Sequence, residues 1–91
     1  MLFVDDDERI LNALRMVFRQ DYRVETAAGG EAALEILQRG GLQVIVSDQR
    51  MPGMTGVQLL REAKTLAPAT VRLLLTGYSD FSAIIASLNE S

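Results

Sequence analysis

The sequence has no cysteine, which excludes disulfides and thiolate metal sites. It has no histidine either. Ser-His triads, zinc-histidine sites and histidine acid–base chemistry are therefore excluded. Lysine occurs once, as Lys64, mid-helix by pattern and among polar neighbours. Any catalysis is left to carboxylates, hydroxyls, amides, arginine or that lysine. Positive charge is in deficit: 9 Lys and Arg against 12 Asp and Glu leave a net charge of −3. That balance argues against nucleic-acid binding, which prefers a basic face. No apolar run approaches the ~18–20 residues needed to cross a bilayer. Met1-Leu2-Phe3-Val4 is too short for a signal peptide and runs straight into acids. The expectation is a cytoplasmic protein with no membrane contact.

What is present suffices for one small domain. The 91 residues are 48% hydrophobic, enough for a core and too many for a disordered chain. Leu2-Phe3-Val4 reads as a buried strand running into Asp5-Asp6-Asp7-Glu8. Ile10, Leu14, Val17 and Phe18 follow at helical spacing, with Asp7 or Asp6 able to cap that helix. Tyr22 to Ala27 alternates with period 2 and predicts a strand at a sheet edge. Gly29-Gly30 ends it, and Ala33, Ile36 and Leu37 mark a second helix stopped by Gly40-Gly41. Leu42 to Ser47 is an apolar, β-branched run, the pattern of a strand buried on both faces. It ends in Asp48 and a turn holding Pro52 and Gly53; Met51 and Met54 flank the turn as packing residues. Thr55 and Gln58 have capping-box spacing. Val57, Leu60, Ala63 and Ala67 trace the third helix, ended by Pro68. Val71 to Thr76 is a fourth strand. Phe81, Ile84, Ile85 and Leu88 predict a last helix.

Strand and helix thus alternate four times over short connections. The expected fold is α/β, a doubly wound parallel sheet joined by right-handed crossovers. In the flavodoxin-like order 2-1-3-4 the first and third strands are neighbours, and ligands sit beyond the strands' carboxyl ends. Asp5, Asp6 and Asp48 would meet there, with Thr76 arriving from the fourth strand. Three carboxylates in one cleft repel unless a cation is bound. An all-oxygen site without Cys or His suits Mg²⁺. Asp48 is then placed to attack a phosphorus atom, with the metal as Lewis acid and template. The first strand is not followed by a Gly-rich loop, which argues against nucleotide or flavin phosphate binding.

These residues resemble the receiver domain of two-component response regulators. The matching pieces are Leu2-Phe3-Val4-Asp5-Asp6, Val46-Ser47-Asp48-Gln49-Arg50-Met51-Pro52-Gly53-Met54 and Leu73-Leu74-Leu75-Thr76-Gly77-Tyr78. The resemblance implies a CheY-like fold and phosphoryl transfer from a histidine kinase onto Asp48. Asp5 and Asp6 would match the acidic Mg²⁺ pair, and Arg50 the residue whose backbone carbonyl ligates the metal. Thr76 would match the switch hydroxyl. The pattern around Asp48 and Thr76 looks like receivers joined to HD-GYP cyclic-dinucleotide phosphodiesterases.

The sequence departs from the family at its end. A family receiver has a fifth strand bearing a lysine and a switch aromatic, then a fifth helix. Here the sequence reaches Ser91 after the fourth helix, and Lys64 lies in the wrong element to replace that lysine. A receiver incomplete at its C-terminus is expected, either a piece of a longer one or a shortened form, with the effector domain absent from these residues. Its fourth strand would have a bare edge through which copies associate. Two rival readings remain open at this point: a pseudo-receiver that binds or dimerises without phosphorylation, and a phosphohydrolase. The latter usually has a proton-handling acid two residues after its nucleophile, where this sequence has Arg50.

Overall fold

The structure is a computed structural model, and it describes residues 1–75. The expected last helix (Phe81, Ile84, Ile85, Leu88) and the expected switch residue Thr76 lie outside the described residues. The order is β1 (Leu2–Val4), α1 (Glu8–Phe18), β2 (Glu25–Ala27), α2 (Gly30–Gln38), β3 (Val44–Asp48), α3 (Gly56–Leu66) and β4 (Val71–Leu75). The four strands form one sheet in the order β2-β1-β3-β4, and every pairing is parallel. This is the doubly wound order expected from the strand–helix alternation.

The sheet separates two apolar layers. Leu2, Val4, Ala27 and Ile45 pack on one face against Ala33 and Leu37 of α2 and Leu59 and Ala63 of α3. Phe3 and Val46 pack on the other against Leu11, Leu14 and Phe18 of α1. The Phe3 and Phe18 rings lie 5.2 Å apart at a tilt of 36°, within the range of favourable aromatic pairs. Each fully buried leucine or isoleucine here contributes about 1.5–3 kcal/mol. The central strands sit where that contribution is largest, since β1 and β3 are buried on both faces.

Local chemistry sets the helix limits. Asp7 is the N-cap of α1 and its side chain accepts from Arg9 N. Thr55 caps α3 in a reciprocal capping box with Gln58. Gly40 and Gly41, at φ +78° and +82°, follow α2 in the left-handed region where a side chain would be strained. At the amino end of the sheet, Thr70 Oγ1 donates to Leu42 O at 2.7 Å and Val71 N to Gln43 O at 2.9 Å, fixing where β4 meets β3.

Three expectations need correction. The strand expected over Tyr22–Ala27 is only Glu25–Ala27. The amides of Asp21 and Tyr22 donate instead to Phe18 O, so the turn that follows α1 holds the start of that stretch away from the sheet. The buried stripe of α1 is Leu11, Leu14 and Phe18; Ile10 is half-buried and Val17 exposed. On α3 the stripe is Gly56, Leu59 and Ala63, with Val57 exposed and Leu60 half-buried. In both helices the sequence offers apolar residues on adjacent positions. Packing against the sheet decides which of them is covered.

Candidate functional site

Because the strands are parallel and in register, their carboxyl ends lie along one rim. Val4 pairs with both Ala27 and Ser47, and Asp48 pairs with Leu75. Asp5 follows Val4 directly, and its amide extends the ladder to Ala27 O at 3.2 Å. Asp48 is the last residue of β3. One carboxylate oxygen from each of Asp5, Asp6 and Asp48 lies within 4.8 Å of the others. This cluster is capable of holding a metal ion. Asp5 is buried, Asp48 half-buried and Asp6 exposed, so the site is anchored at its base and open at its mouth.

The neighbouring acids divide by hydrogen bonding. Asp5 Oδ1 accepts from Asp7 N at 2.8 Å, which orients its carboxylate. Asp7 turns away to its capping bond, 2.9 Å from Arg9 N, and to the Arg9 guanidinium at 3.0 Å. That guanidinium holds the Asp7 carboxyl below the usual range. Asp7 is thus structural, as the capping pattern suggests. Asp5 behaves oppositely. Burial, helped by the charges of Asp48 and Asp6, pushes it up to about 6 against the opposing bond from Asp7 N. Burial and like charge both disfavour the ionised form of Asp5, and a cation bound among the three acids would offset both.

A stability prediction follows for the metal-free protein. Asp5 in the fold holds its proton up to about pH 6, whereas an unfolded aspartate releases it near 3.9. Between these values the native state binds more protons, so stability falls as pH rises from about 4 to about 6. Denaturant midpoints measured with chelator across that window should decline. A midpoint that climbs would contradict the burial of Asp5.

Two residues after Asp48, one in the turn and one at the start of α3, have roles that the sequence reading did not single out. Gln49 bonds both to β4 and to the start of α3, and Gly56 is where α3 comes up against β3. A polar residue ending an apolar strand was the available sign for Gln49. A glycine immediately after the N-cap Thr55 was the sign for Gly56. Met51 is buried in the core and Met54 packs on it, as expected of packing residues. Arg50 is exposed between them and Gln49. Lys64 lies exposed in the last turn of α3, at the end away from Asp48. A cavity of about 760 Å³ lies between the starts of α2 and α3, lined by Gly29, Gly30, Met54 and Arg61 among others. None of the three clustered aspartates lines it, so the carboxylate chemistry is at the rim of the sheet and not in that cavity.

Family comparison agrees with this geometry. The model of the response regulator receiver domain matches residues 1–91. The chain belongs to that family. Hydrogenase transcriptional regulatory protein HoxA of Cupriavidus necator is 42% identical over 91 residues, covering 100% of this chain and 19% of that protein. A structure described as adenylate cyclase from Rhodopirellula baltica superposes with a TM-score of 0.81 at 37% identity, over 98% of this chain and 67% of that one. The signal receiver domain of an HD domain-containing protein from Pseudomonas fluorescens gives 0.79 at 32%, over 98% and 72%. The receiver chain spans about one-fifth of the length of HoxA and of GlrR, two of the curated relatives it matches. Its Asp5–Asp6–Asp48 cluster is typical of the phosphoacceptor and metal site of response regulators. The chemistry of such a domain is phosphorylation and dephosphorylation of its own aspartate, not turnover of a substrate. Among the described residues no helix is long and apolar enough to cross a membrane.

Proposed function

We propose that Asp48 accepts a phosphoryl group from the phosphohistidine of a histidine kinase in the cytoplasm. The observation that carries this is the meeting of three carboxylates at the ends of two adjacent strands. An Asp48 oxygen attacks phosphorus as the P–N bond to the kinase imidazole breaks. The new P–O bond makes an acyl phosphate, and the kinase ring, already protonated on its other nitrogen, leaves as neutral imidazole. Asp5, Asp6, Asp48 and the Arg50 backbone carbonyl would hold Mg²⁺, which when bound supplies charge neutralisation and a template for phosphoryl oxygens. Asp5 is held in place for that role by the Asp7 amide. Thr76, directly after Leu75, would donate its hydroxyl to the transferred group. Phosphorylation then shifts an equilibrium between two conformations of the rim, which an effector outside these 91 residues reads. The three named relatives carry different printed functions; the receiver of an HD domain-containing protein among them supports an effector of the HD-GYP kind.

Incubation with a small phosphodonor and Mg²⁺, followed by intact mass and fragment mapping, tests this reading. One phosphoryl group on Asp48, lost when chelator replaces Mg²⁺, is the expected result. No mass gain, with Mg²⁺ leaving the protein's spectra unchanged, would instead establish the pseudo-receiver. The association expected along β4 is supported by Val71 and Leu73, which are 56% and 44% exposed on that strand. A sharp monomer mass by light scattering at high concentration would remove it.

A further inference from the structure

Asp48 is joined to the rest of the molecule through the residue that follows it. Gln49 N donates to Leu75 O at 3.1 Å, at the end of β4. Gln49 O accepts from Gly56 N at 3.1 Å, and Gln49 Oε1 accepts from Val57 N at 2.9 Å. The first amides of a helix have no partner within it. In α3, Gln49 supplies acceptors for two of them, and Thr55 Oγ1 takes a third from Gln58 N at 3.2 Å. The helix is therefore capped twice, from two different places. Thr55 caps it from the preceding turn. Gln49 caps it from the strand end that bears Asp48. At the same point Gly56 lies against the Asp48 carbonyl, with no room for a Cβ.

We propose that Gln49 is a positioning residue for the Asp48 site. Its side-chain amide seats the start of α3 on the end of β3 while its backbone holds the end of β4, and so fixes where the Asp48 carboxylate stands relative to Asp5 and Asp6. One residue thereby joins the phosphoacceptor, the strand end just before Thr76, and α3. The part of this inference that concerns phosphoryl transfer rests on the function proposed above; the part that concerns metal affinity does not.

Three variants separate positioning from simple helix capping. Gln49→Met keeps length and removes the acceptor. Gln49→Asn keeps the amide and withdraws it by one methylene, a milder change should the first fold poorly. Thr55→Ala removes the other cap of the same helix without touching the Asp48 strand. Three quantities are read: hydrogen exchange of the Val57 amide in metal-free protein, the Mg²⁺ dissociation constant, and the rate of phosphoryl uptake from a small phosphodonor at saturating Mg²⁺. Both Gln49 variants should speed Val57 exchange and weaken Mg²⁺ binding roughly ten-fold, the lower range for residues that orient metal ligands. Uptake should slow with them. Thr55→Ala should leave the Mg²⁺ constant and the uptake rate as they were. Equal effects from Thr55→Ala, or unchanged Mg²⁺ affinity in both Gln49 variants, would overturn the proposal. A wild type that takes up no phosphate but shows the Mg²⁺ shift in the Gln49 variants would refute the proposed function and leave the positioning role standing.

Discussion

Asp48→Asn is expected to abolish phosphoryl uptake while leaving the fold intact. The side chain lies half-buried at a strand end, outside both apolar layers, so the substitution opens no cavity. Its effect is chemical. An amide oxygen carries no formal charge and is a poor nucleophile toward phosphorus, and no second carboxylate stands in the same place. Asp5 is buried with its carboxylate held by the Asp7 amide, and Asp6 is the exposed member of the cluster. Two further effects separate this variant from a general loss of structure. Metal affinity should fall, because ligand charge sets the strength of such sites. Metal-free stability should rise, because the Asp48 charge is one of the factors that raises Asp5. A variant that loses uptake, binds Mg²⁺ weakly and melts slightly higher without metal would confirm the whole arrangement. Undiminished phosphate on Asp48→Asn would falsify the assignment of the acceptor.

Much of this arrangement could be read before the structure, and for identifiable reasons. The apolar runs of β1, β3 and β4 are short and bounded by acids or glycine, and that of β3 is β-branched as well, so their place in a parallel sheet is written in composition. Once the order 2-1-3-4 is inferred, Asp5, Asp6 and Asp48 must share a rim, because each lies at or just past a strand end. The capping residue Thr55 declares itself by its spacing to Gln58. What escaped depends on packing and not on pattern. Tyr22, Arg23 and Val24 alternate like a strand, yet the turn that follows α1 and the short pairing of β2 leave only Glu25–Ala27 in the sheet. Leu11 and Val17 are both apolar, and it is Leu11 that packs with Phe3, Leu14 and Phe18 while Val17 is exposed. The role of Gln49 is a matter of reach across the turn, which no periodicity reports. Thr76, the remaining expected member of the site, lies outside the described residues; Leu75, the residue before it, pairs with Asp48.

Gly56→Ala should destabilise the protein although alanine is the better helix former. Alanine gains about 1 kcal/mol over glycine in a helix interior. Gly56 is the first helical residue of α3, where less of that gain is realised. Against it stands a collision. A Cβ at Gly56 would overlap the Asp48 backbone carbonyl and come within 2.6 Å of Leu74 Cδ1. The leucine can rotate away. The carbonyl cannot, because it belongs to β3, which is paired on both sides. Gly30 offers the contrast, since the three atoms nearest a Cβ there all belong to the Met54 side chain, and the nearest of them, Sδ, can rotate away. Overpacking of this kind costs about 1–3 kcal/mol, and against backbone the upper part of that range applies. A net loss of about 2 kcal/mol corresponds to roughly a 10 °C fall in Tm for a domain of this size. The displaced element is the start of α3, which Gln49 ties to Asp48. Mg²⁺ affinity should therefore weaken in Gly56→Ala as well, whereas Gly30→Ala should lose less stability and keep its metal. Thermal melts and Mg²⁺ titrations on the two variants decide it. A Gly56→Ala protein that melts at the wild-type temperature would show that α3 does not bear on the strand end as closely as the geometry states.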